Sequence, residues 1–132
     1  MAIYSFHFHR CTSVIVPYQQ GKSNNSLEWS PLAFQIITNS YDAIVVLNKF
    51  RSTLTPTSWS GSRSEIMQNR LCLISELKNH KNSYIKDWAD NEELVFEEEI
   101  RLQRECELNI ITFAKRAYGI IKRLNIYKAV NL

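Results

Sequence analysis

Beyond Pro56 the chain has no proline, and beyond Gly61 it has one glycine, Gly119. Proline and glycine break helices most strongly, so the 71 residues from Ser62 to Leu132 are free to form long ones. Glycine-rich phosphate loops are missing as well: neither GxxxxGKS/T nor GxGxxG occurs, nor does the zinc-protease pattern HExxH. Three cysteines, Cys11, Cys72 and Cys106, stand far apart with no CxxC pair. That spacing argues against a disulfide framework and a zinc ribbon, and it predicts a reducing, cytoplasmic setting. The longest apolar run, Ala43 to Leu47, is far too short to span a bilayer. The opening MAIYSFHFHR lacks the basic start and apolar core of a signal peptide. No membrane partner is therefore expected.

What is present describes an ordinary globular chain. At 132 residues, with 45% hydrophobic and 22% charged residues, it is long enough to bury a core without staples, and one domain spanning 1–132 is expected. The net charge of +3 is mild, but its distribution is not even. Nine of the thirteen acids fall between Asp87 and Glu107, whereas residues 108–132 carry Lys115, Arg116, Lys122, Arg123 and Lys128 and no acid.

The predicted elements follow from periodicity and breakers. Ile3 to Arg10 alternates Tyr4, Phe6 and Phe8 with Ser5, His7 and His9, as a half-buried strand does. Thr12 to Tyr18 is β-branched and ends near Pro17, so residues 1–18 read as a β element, a hairpin or one bent strand. Residues 19–29 read as a loop. Ser30 before Pro31 is an N-cap signature, and a first helix over 31–54 would bury Phe34, Ile37, Tyr41, Ile44, Val45 and Leu47. Ser62 with Glu65 predicts a second helix over 63–89, and Asp90 with Glu93 predicts a third over 91–127. Asn79 to Ser83 is polar enough to be a break in the second. The regular stripe Ile110, Phe113, Ala114, Ala117, Ile121 and Leu124 reads as the part of the third helix that holds the fold. The expected fold is mainly α: a short N-terminal strand or hairpin and three helices, the last two long and antiparallel, in a helical bundle.

Several clusters invite a chemical reading. His7, His9 and Cys11 alternate on one strand face but lack a fourth ligand, so no metal is expected there. Glu97, Glu98 and Glu99 are consecutive, and on a helix they point about 100° apart rather than converging on a substrate or cation. Arg101 and Arg104 lie within reach of these acids and would form surface pairs. His80 raises the question of a HEPN-type RNase, a small helical bundle with an arginine-to-histidine motif. The nearest upstream arginine, Arg70, is ten positions away instead of that motif's four to six, which leaves an RNase centred on His80 as the third expectation, behind the two binding roles. Cys72 and Cys106 sit in helical patterns where a small buried hydrophobe is the usual role. Catalytic residues, metals and cofactors are therefore not expected.

The charged surfaces remain. Lys115, Arg116, Lys122, Arg123 and Lys128 form a basic face opposite the apolar stripe, and Glu97, Glu98 and Glu99 belong to an acidic one. The leading expectation is a non-enzymatic accessory subunit or inhibitor that docks on a larger protein partner through these faces. The second expectation is a nucleic-acid-binding small subunit whose basic helix tracks phosphates. A composition rich in asparagine, isoleucine, lysine and serine would suit a phage or mobile-element origin.

Overall fold

The computed structural model describes residues 16–23 and 26–130. The predicted strand Ile3 to Arg10 and the trio His7, His9 and Cys11 lie outside the described residues. The described residues form a two-stranded antiparallel hairpin, β1 (Tyr18–Gln20) and β2 (Leu27–Trp29), followed by four helices. These are α1 (Pro31–Asn39), α2 (Ala43–Leu54), α3 (Arg63–Leu77) and α4 (Ser83–Val130). The mainly helical class with a short β hairpin ahead of a long last helix is as expected.

The hairpin itself falls largely in the segment read as a loop. Tyr18 pairs with Trp29, Gln19 with Glu28 and Gln20 with Leu27. Gly21 donates its N–H to Ser26 O at 2.8 Å. A Cβ at Gly21 would lie 2.5 Å from Ser26 Oγ and 3.1 Å from Ser26 O, so a larger residue would have to turn the serine side chain and press on the backbone. The polar turn composition conceals strands of three residues each, too short to show an alternation.

The predicted first helix is two. Ser30 caps α1 as expected, accepting the Ala33 N–H at 3.2 Å, and Pro31 opens it. However, Ser40 closes α1 and Asp42 starts α2 by accepting the Val45 N–H at 3.4 Å. The break changes which residues are inside. Ala33, Ile36, Ile37, Ala43, Val46, Leu47, Phe50 and Leu54 are buried, while Phe34, Tyr41 and Val45 are exposed. Ile37 and Leu47 are inside as expected, but one uninterrupted helical period across 31–54 misplaces Phe34, Tyr41 and Val45, because the corner shifts the inward face.

The other boundaries shift for a related reason. Ser62 accepts the Glu65 N–H at 3.3 Å, so the predicted start of α3 holds, and the polar stretch at Asn79 to Ser83 is the break: the helix ends at Leu77 rather than 89. Asn82 begins α4, its side chain accepting the Tyr84 N–H at 2.9 Å. Asp90 and Glu93 lie inside α4, not at a new start. Ile85, Ala89, Phe96 and Ile100 form one buried stripe that spans the level of exposed Asp90, and a break there would divide it. Glu93 instead accepts from Ser75 Oγ and Lys78 Nζ, each at 2.5 Å.

Helices α3 and α4 run antiparallel: Ser75 meets Glu93, Gln68 meets Arg104, and Ser64 meets Glu107. Trp29 ties the hairpin to α3, its buried indole N–H donating to Leu73 O at 2.8 Å. Arg51 of α2 is clamped onto α4, with Nη2 2.8 Å from Glu99 and Nε 3.2 Å from Glu92, over the Phe96 ring at 4.3 Å. Arg70 of α3 closes the end of α2 by donating to Thr53 O and Leu54 O.

Candidate functional site

Helix α4 has 48 residues, about 72 Å at 1.5 Å per residue, and packs against the body over its first half only. The last contact with α3 is made by Glu107. Its carboxylate accepts the Ser64 N–H at 2.9 Å, the Ser64 hydroxyl at 2.7 Å and the Ser62 hydroxyl at 2.9 Å. Gln103 Nε2 also donates to it, at 3.2 Å. Burial pushes the Glu107 carboxyl up, but the hydrogen bonds from Ser64, Ser62 and Gln103 outweigh that and hold its pKa at about 2. The negative charge sits at the positive end of the α3 dipole.

Beyond Glu107 the helix continues as an arm, residues 108–130, about 35 Å long. The reading of Ile110 to Leu124 as the stripe that holds the fold is overturned here. Ile110 is 67% exposed, Phe113 74% and Leu124 54%. The reason is topological: α3 begins at Arg63, level with Glu107, so among the described residues no element lies alongside the arm. The core is supplied instead by Ile85, Ala89, Phe96 and Ile100 from the first half of α4, with α1, α2, α3 and Trp29.

Over 110–124 the cations and most of the apolar residues lie on opposite sides of the arm, with exposed Ile111 and Tyr118 between them and Leu108 on the cationic side. At 100° per residue, Ile110, Phe113, Ala114, Ala117, Ile120, Ile121 and Leu124 fall within an arc of about 120°. Lys115, Arg116, Lys122 and Arg123 fall within an arc of similar width on the opposite side, about 160° away between centres. All four cations are exposed, and no carboxylate follows Glu107. Lys128 is in the helix, and its side chain lies outside the described ones.

The three consecutive glutamates diverge as expected. Glu99 turns to Arg51, Glu98 bonds Arg101 at 2.6 and 2.8 Å, and Glu97 stays on the surface. Arg101 also reaches Glu105. These two partners hold the Glu98 carboxyl and the Arg101 guanidinium in their charged forms; the Arg101 hydrogen bond lowers the pKa of Glu98. Arg104 departs from the expected ion pairing and bonds Gln68 at 2.9 Å.

His80 and Arg70 have separate partners. The Asn82 N–H donates to His80 Nδ1 at 3.0 Å, which fixes the proton of the neutral ring on Nε2, 3.2 Å from Thr38 Oγ1. The ring packs against Phe34. Arg70, besides capping α2, lies over Tyr18 at 5.2 Å. Cys72 and Cys106, expected as buried hydrophobes, are exposed. A cleft of about 130 Å³ lined by Leu32, Gln35, Ile36, Asn39 and Ser40 is well below the roughly 300–1,000 Å³ of small-molecule sites. Among the described residues no three histidine, cysteine, aspartate or glutamate side chains converge as a metal site, and no helix is long and apolar enough to cross a membrane.

The sequence carried a signal for the exposed arm. Ile110, Phe113, Ala117, Ile120 and Leu124 alternate steps of three and four, the spacing of a seam between helices. That spacing is the same for a stripe facing its own core, so it did not reveal the exposure. The roles of Arg51 and Glu107 had no local signal at all. Comparisons with protein-family models, curated proteins and solved structures find no match for the chain.

Proposed function

We propose that this protein is a non-enzymatic interaction protein, an accessory subunit or inhibitor that docks on a larger protein assembly through the distal half of α4. The observation that carries this reading is the arm itself: exposed beyond Glu107, with every charged side chain described there cationic and confined to one side. The complementary surface is an acidic one on the partner, and such pairing sets orientation and association rate. The reading predicts that Lys115→Glu with Lys122→Glu abolishes retention of a protein that the unaltered chain retains from its native lysate. Equal retention by both would overturn it.

A second reading has its own observation. Lys115 with Arg116, and Lys122 with Arg123, lie seven residues apart on one side of the helix, about 10 Å along the axis, so the two pairs can contact separate phosphates of a nucleic-acid backbone. Nucleic-acid binding would weaken steeply with salt, and the same double reversal would lower the salt slope by about two. Unchanged affinity for a generic duplex and for single strands after that reversal would exclude this second reading.

A further inference from the structure

We infer that the apolar side of α4 is covered by a second copy of the chain, the two α4 helices pairing antiparallel about a two-fold axis near Glu107 and Leu108. The inference goes beyond the cationic docking face: it uses the apolar side of the helix and shares with that face only Arg116, at its edge. Val95, Leu102, Cys106, Phe113, Ile120 and Leu124 are all exposed and fall within an arc of about 40° at 100° per residue. This stripe is not confined to the arm. It continues into the acidic half, past the point where the arm leaves the body.

Charge selects the occupant and its direction. The acidic half, Asp87 to Glu107, and the acid-free half after it are complementary to each other, so the helix is complementary to a reversed copy of itself. A parallel pair would set acids against acids and cations against cations. An anionic lipid surface matches the arm but repels the acidic half, where Val95 and Leu102 carry the same stripe. In the antiparallel pair, Leu102 lies across from the second copy's Phe113, and Val95 across from its Ile120. Glu98, which within its own copy bonds Arg101, falls within one residue of the level of the second copy's Arg116, on the same edge of the stripe. An isologous contact of this kind closes as a dimer.

The area is sufficient. With side chains 47% to 74% exposed along the stripe, the large apolar residues offer on the order of 600 Å² per copy, and flanking polar atoms bring this near the ~800 Å² per partner of a standard interface.

The test is the mass of the full chain by light scattering across micromolar to submillimolar concentration. Twice the 15.5 kDa of the monomer is expected, with Phe113→Asp returning the monomer at unchanged helical content. Glu98→Arg or Arg116→Glu alone should weaken the dimer about 3–10-fold, and the two together should restore it, because the swapped charges again face each other across the axis. A monomeric mass throughout overturns the inference. In that event cross-links from residues 1–15 to the arm would name an intramolecular occupant, and co-sedimentation with phosphatidylserine vesicles a membrane surface. A dimer that survives Phe113→Asp, or a charge swap that adds instead of cancelling, overturns it equally. None of these outcomes depends on Lys115 or Lys122, so the docking reading stands or falls separately.

Discussion

Glu107 closes the N-terminus of a helix 43 residues earlier in the chain: its carboxylate takes the backbone N–H of Ser64 at 2.9 Å and the Ser64 hydroxyl at 2.7 Å. One side chain thereby serves as helix cap, dipole partner and last tether between α4 and the body. Its folded pKa of about 2 against an ordinary 4.5 gives the pH dependence. A depressed carboxylate stabilises fully above its unfolded value and loses that stabilisation as pH falls through the folded one. Glu107→Gln should therefore cost about 1–2 kcal/mol at neutral pH, the full shift being discounted for partial exposure. The difference from the unaltered chain should shrink between pH 4.5 and 2. Urea unfolding of both proteins as a function of pH measures it, and a pH-independent difference would remove the carboxylate's charge from the account.

Arg51 joins α2 to α4 through Glu92, Glu99 and the Phe96 ring. Its side chain is 11% exposed, so it is largely desolvated, and removing it leaves the partly buried Glu92 carboxylate and that of Glu99 without their counter-charge. Arg51→Ala should destabilise by about 3 kcal/mol. Arg51→Met, which refills the volume, should lose less, and Glu92→Gln combined with Arg51→Met should lose less again. Denaturant midpoints at constant slope test this order.

The start of α4 at Asn82 rather than Asp90 separates two substitutions that look alike in sequence. Asn82→Ala removes the acceptor of the Tyr84 N–H and should cost about 1 kcal/mol. Asp90→Ala, at an exposed position inside the helix and 3.9 Å from Lys78, should change stability by less than about 0.5 kcal/mol. The reverse order would place the helix start at Asp90.

Trp29 closes the hairpin end of the core with one hydrogen bond, from its indole to Leu73 O at 2.8 Å. Trp29→Phe keeps most of the apolar contact, including that with Phe50 at 6.0 Å between centroids, but removes the indole donor to Leu73 O. A loss of about 1–2 kcal/mol is expected. Trp29→Ala should lose about 3–5 kcal/mol through the cavity as well. Thermal melts followed by far-UV circular dichroism distinguish the two.

Much of the fold was legible where the signal is local. Ser30 with Pro31 and Ser62 with Glu65 start helices because a cap is decided by a few neighbouring residues. Asp90 with Glu93 carries the same pattern and starts nothing, since the buried stripe from Ile85 to Ile100 rewards continuity and Glu93 finds Ser75 and Lys78 across the helix pair. Ser40 to Asp42 turns the chain without a proline or glycine, which hid the corner and displaced the predicted core face by a residue. Of the candidate site, the opposition of cations to apolar residues along 110–124 was legible from spacing alone.

The sequence by itself determined that the chain is mainly helical, that its last helix is long, and that this helix changes from acidic to basic near Glu107, because propensity, capping and charge are properties of short stretches. Only the tertiary structure decided which half of that helix is inside. A stripe of Ile, Phe, Ala and Leu at helical spacing has the same appearance whether it meets its own core or open solvent. The difference lies in where α3 begins. Because Arg63 stands level with Glu107, the stripe from Ile110 to Leu124 extends past the end of its neighbour and is left exposed.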